Sequence, residues 1–174
     1  MQSLNSFKIA SLGLLLILVL SCKKEPIPYC NNDCNKKSVA FETILHETSQ
    51  YYGVKSNLII QDKETWQQLW NKIYPEGSIS PSTPILPEVN FDQYTVIAIF
   101  QGEKGSGCTT TIQQINAHCN TVDVSFQEEE PGKNCYTLAV LTYPCHIIKI
   151  PKTLQPVNFT SSLKIYDCPI FLLE

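Results

Sequence analysis

"GEKGSGCTTTIQQI", residues 102–115, has two readings, and the choice between them decides the fold. Gly102 and Gly107 have the spacing of a phosphate-binding loop, and Thr109 stands where the magnesium-binding hydroxyl belongs. Cys108, however, fills the position that requires lysine. A phosphate loop leads from a strand into a helix, whose N-terminus and lysine hold the anion. Here the residues that follow, "CTTTIQQI", carry a β-branched run that favours a strand. The stretch is therefore expected to be a glycine-rich hairpin connection, and no nucleotide site.

Strand patterns continue on both sides of it. "TVIAIF" (95–100) is apolar at consecutive positions, as in a strand covered on both faces. "TVDVSFQ" (121–127) alternates, with Val122, Val124 and Phe126 set to face inward. "VAFETIL", "NLIIQ", "YTLAVLTY", "HIIKI" and "SSLKIY" extend the series, and the run Glu128–Glu130 reads as a solvated turn. One helix interrupts it. "DKETWQQLWNKI" offers Asp62 as N-cap and Trp66, Leu69, Trp70 and Ile73 along one stripe. At that spacing the two tryptophans are expected to fill the core and not to stack on a ligand. The fold class that follows is mostly β: an antiparallel sandwich or rolled sheet of about eight strands with one principal amphipathic helix.

The first residues set the expected compartment. Lys8 precedes "IASLGLLLILVL" (9–20), an apolar run too short to span a bilayer but suited to a secretory signal. It ends in "VLSC", which resembles the bacterial lipoprotein box and makes Cys22 the expected lipidation site. The expected organisation is a signal peptide at 1–21, a lipidated tether at 22–38 and a single domain at 39–174. The expected address is the bacterial cell envelope, with the lipid on Cys22 holding the protein to a membrane, the outer one, whichever side it faces.

All thirteen basic residues are lysine, against sixteen acids and a net charge of −3. A mildly acidic chain without arginine lacks the bidentate phosphate contacts that nucleic acids require, so no nucleic-acid partner is expected. Three histidines exist, His46, His118 and His146. His146 adjoins Cys145, but neighbouring strand residues point to opposite faces, so they do not make a nucleophile and base. "CNNDC" (30–34) has cysteines at metal-like spacing, yet without a second close pair disulfides are the better reading. No catalytic residue, metal or cofactor is expected.

Besides Cys22 there are seven cysteines: Cys30, Cys34, Cys108, Cys119, Cys135, Cys145 and Cys168. If residues 108–150 form a meander, a strand of about 25 Å separates Cys108 from Cys145 in one direction and Cys119 from Cys135 in the other. The allowed sets are then Cys108–Cys135 with Cys119–Cys145, or outside partners for some of the four, and the two internal pairs are the expected ones. Cys168 would take Cys30 or Cys34, and one thiol would remain unpaired.

From about residue 57 to 152 the chain resembles the PrcB C-terminal domain family, named for an accessory subunit of a bacterial surface protease complex. The resemblance rests on "TWQQLW", "NFDQYTVIAIFQG", "GSGCTTTI" and "TYPCHIIKIPK" in that order, with Cys108 and Cys145 standing where the family places aromatic residues. It implies a non-catalytic interaction domain that binds or stabilises another envelope protein. The loop residues expected to meet such a partner are Gly102, Lys104, Gly105, Gly107, Tyr143, Pro144 and His146. The alternative is a protease inhibitor, entering a cleft with the same loops in the manner of chagasin-like domains, or a small-ligand-binding β domain.

Overall fold

The structure, a computed structural model, describes residues 35–48, 52–75 and 84–168. Cys22, Cys30 and Cys34 lie outside those residues, as do the expected signal peptide and most of the tether. The strands are β1 (Lys37–Ser38), β2 (Glu42–Glu47), β3 (Ser56–Ile60), β4 (Tyr94–Phe100), β5 (Lys104–Gly105), β6 (Thr109–His118), β7 (Thr121–Pro131), β8 (Leu141–Thr142), β9 (Cys145–Pro151) and β10 (Val157–Tyr166). The one helix among the described residues, α1, is Lys63–Ile73. Two four-stranded sheets, ordered β1-β6-β7-β10 and β2-β9-β4-β3, stack face to face, and β5 and β8 form a small third sheet. Pairing is antiparallel except for β10, which runs parallel to β7.

The double-sided apolar pattern of β4 places it in the middle. Ile97 and Ile99, with Ile148 and Ile150 of β9, pack against Ile112, Ile115, Val122, Val124 and Phe126 of the first sheet. Val96, Ala98 and Phe100 turn the other way, toward Trp66, Leu69, Trp70 and Ile73 of α1. The domain thus has three layers, sheet on sheet on helix, with two apolar cores. Asp62 caps α1, accepting from the Thr65 N–H at 2.7 Å, a bond that lowers its carboxyl pKa. Both tryptophans are core residues, and each indole N–H also ties down a passing segment: Trp66 donates to Pro87 O and Trp70 to Pro84 O.

Three expectations are corrected. There is no four-strand meander, because after β7 the chain crosses to the second sheet, where β9 pairs with β2 and β4. The stretch "YTLAVLTY" is not one strand; only Leu141–Thr142 pairs, with β5, and residues 136–140 are exposed. Glu128, Glu129 and Glu130 are not a turn but the last rungs of β7, and each binds a lysine from a different part of the chain. Lys55 reaches Glu128 at 3.0 Å, Lys164 reaches Glu129 at 2.8 Å and Lys104 reaches Glu130 at 2.6 Å.

The changed topology changes the disulfides. Cys135 is bonded to Cys168, so the expected Cys108–Cys135 pair and the Cys168 link to Cys30 or Cys34 do not form. Cys108 and Cys145 are free and buried, which also removes Cys119–Cys145. Cys119 is disulfide-bonded as well. Strand-length arithmetic holds only between strands of one sheet. β10, running parallel to β7, carries Cys168 to the end where β7 releases Cys135.

Candidate partner-binding face

The glycine-rich stretch does connect two strands. Gly102 and Gly107 have φ of 75° and 89°, conformations that L side chains rarely adopt, and β5 lies between them. A Cβ on Gly102 would lie 2.9 Å from the Lys55 backbone nitrogen. Gly102→Ala is therefore expected to cost about 2–4 kcal/mol, from left-handed backbone strain plus overpacking. Denaturant unfolding measures it.

The two loops singled out in the sequence meet. Lys104 and Gly105 pair with Thr142 and Leu141, and the Thr142 hydroxyl donates to Gly105 O at 2.9 Å. The Gln101 N–H donates to Pro144 O at 3.0 Å, and the Tyr143 N–H to Thr48 O at 2.8 Å. The Lys104–Glu130 bond raises the lysine pKa and keeps its charge fixed to β7. From the far side, the Tyr166 hydroxyl donates to Gly107 O at 3.0 Å, and the Gly132 N–H to Tyr166 O at 2.8 Å. The Cys135–Cys168 bridge, Cα to Cα 5.0 Å, closes this end of the domain.

The frame is rigid, but the residues it exposes differ from those expected. Gly105 and Gly107 are exposed, and Lys104 and Tyr143 are half-buried. Gly102, Pro144 and His146 are buried, so they shape the face without forming its surface. The surface itself comes from Tyr136, Leu138, Val140 and Leu141, all well exposed, between the disulfide and β8. Sequence reasoning missed them because their alternation also describes a half-buried strand, and nothing local distinguishes the two.

His146 is held in an unexpected way. It is only 3% exposed and its ring stacks on His46, centroids 4.3 Å apart, with Phe41 edge-on at 6.4 Å. The Ile112 N–H donates to His146 Nδ1 at 2.8 Å, so the proton of the neutral ring sits on Nε2, where the Thr43 hydroxyl accepts it at 3.0 Å. His46 Nε2 donates to Thr110 O at 2.8 Å and lies 3.2 Å from the Thr111 hydroxyl. Thr110 O and the Ile112 N–H are alternate backbone groups on the side of β6 away from β7. The two imidazoles therefore satisfy that edge as a strand would, and join the sheets. Burial, and then the neighbouring His46, lowers the His146 pKa to about 4.

Cys145 points the other way, into the layer of α1. Burial pushes its thiol up to about 12 and also raises that of Cys108, where Glu130 adds to the effect. Both are held as unreactive thiols at neutral pH. Among the described residues no three His, Cys, Asp or Glu side chains are grouped to hold a metal ion.

The fold is a mostly β sandwich backed by one helix, with an apolar loop surface braced at one end. Residues 95–151 match the family model described as PrcB C-terminal, and over that segment, about a third of the chain, the protein is similar to that family. The matched segment runs from β4 to the end of β9 and so includes the braced loops; α1 and β10 lie outside it. No solved structure matches the chain.

Proposed function

We propose that this protein is a lipid-anchored, non-catalytic accessory protein of a bacterial cell envelope, which binds another envelope protein through the face built from residues 136–141. The observation that carries this reading is the exposure of Tyr136, Leu138, Val140 and Leu141 along one short loop held at both ends. Exposed aromatic and aliphatic residues clustered on a rigid frame are what a protein interface needs at its centre. The anchor is the lipid on Cys22, with the outer membrane as its site, and the sequence from Lys23 to Lys36, ahead of β1, is the tether. The family match supports a partner from a protease complex.

The test uses the full chain in its native membranes. A photo-crosslinker at position 138 is expected to capture one predominant envelope protein, and Leu138→Asp with Val140→Asp to abolish that complex. Leu154→Asp, an exposed position at the opposite end of β9, is expected to leave it intact. Equal loss from both ends would refute the face. Inhibition of a protease panel by the purified protein would instead favour the inhibitor reading.

A further inference from the structure

Strand β10 is the outer strand of its sheet: β7 pairs with one side, and among the described residues no strand pairs with the other. Edge strands of this length are usually blocked by a proline, a bulge or an inward-facing charge. β10 contains no proline, and its register with β7 is unbroken from Val157 opposite Val122 to Tyr166 opposite Pro131. Its single charge, Lys164, is held by Glu129 at 2.8 Å. Such an edge is a template for strand addition.

The sequence indicates which strand fits. Reading outward from Ser161, the pattern is the same in both directions: Thr160 and Ser162, Phe159 and Leu163, Asn158 and Lys164, Val157 and Ile165. An antiparallel strand crossing at Ser161 sets these pairs directly opposite, and opposite residues share a face. The four apolar residues lie on the face toward the second sheet. Val157 and Phe159 pack against its core, while Leu163 and Ile165 run past it and remain 59% and 62% exposed. Crossed at Ser161, Leu163 of one copy meets Phe159 of the other, and Ile165 meets Val157. What one copy leaves uncovered, the other covers.

The opposite face is also complementary in charge. There Asn158 donates to Asp123 at 3.0 Å, and Lys164 binds Glu129. Pairing about Ser161 makes a row of Asp123 and Asn158 from one copy with Lys164 and Glu129 from the other, so that lysine lies between carboxylates and no like charges are opposed. We propose that two copies of this chain associate through β10, antiparallel about Ser161, joining their four-stranded sheets into one continuous sheet.

Ser161→Cys tests the register. At the crossing point the two Cα atoms would be about 4.5–5.5 Å apart, within disulfide reach. The full chain, produced in an oxidising compartment, is expected to give a covalent dimer that reductant dissolves. Asn158→Cys introduces the same extra thiol but separates its two copies by about 20 Å along the strands, and is expected to give none. Without added cysteines, the detergent-solubilised chain is expected at the mass of a dimer. Leu163→Lys with Ile165→Lys should weaken that dimer at least about tenfold with unchanged circular dichroism, since both side chains are exposed in one copy. Crosslinking at both positions, at neither, or from position 161 to a different protein would overturn the symmetric pairing.

Discussion

Acidification from pH 6.5 to 4 is expected to remove up to about 3 kcal/mol of folding stability through His146 alone. Its folded pKa of about 4 lies below the ordinary 6.5, so the folded state prefers the neutral ring. That contribution is fully present above pH 6.5, declines as the pH falls, and is exhausted below about 4. The structural cause is specific: Nδ1 accepts the Ile112 N–H, and a proton there would set two donors against each other in a buried site. The stacked His46 ring leaves no room to turn away. Urea unfolding at pH 7 and 4.5 measures the loss. His146→Leu abolishes the titration but leaves the Ile112 N–H unpaired, which costs about 1–3 kcal/mol at neutral pH while flattening the acid limb. A wild-type protein equally stable at both pH values, or an unchanged limb in the variant, would remove His146 from the account.

Loss of the Cys135–Cys168 bridge is expected to cost about 3.5 kcal/mol, the chain entropy of closing a separation of 33 residues. Replacing both residues by alanine tests this without reducing the other disulfide at Cys119. The damage should be local before it is global. Gly132 and Cys135 are held by Tyr166 O and Gly132 O, bonds that depend on the strand end staying beside the loop. Their amides are expected to exchange hydrogen much faster in the variant, whereas those of β4 and β9, buried between two layers, should slow with the core as before. The proposed partner binding through Tyr136 and Leu138 is expected to weaken in parallel. A variant as stable as the parent would mean that the lysine clasps on Glu128–Glu130 already hold this end.

Local pattern carried much of the architecture. The stripe Trp66, Leu69, Trp70, Ile73 and the unbroken apolar run of β4 each have one physical solution, burial against a second layer, and both adopt it. The inward triad of β7 was equally legible. Cysteine pairing was not, because it depends on whether the chain stays in its sheet after Pro131, and no residue there declares the crossing. The His46–His146 stack was hidden for a related reason. It joins residues about a hundred apart through irregularities in β2 and β6, between Thr43 and Leu45 and between Ile112 and Gln114, which no periodicity announces. The glutamate run was misread because three adjacent acids suggest solvent unless their lysines are known to arrive from elsewhere.

The segment between Cys135 and Leu141 is fixed at both ends, by a covalent bond on one side and a strand pair on the other. Its side chains contribute little to either core, so its composition is free to change while the posts remain. That makes it a cassette. A sequence grafted between those posts would inherit a defined entry and exit, and recognition could be rewritten there without renegotiating the fold.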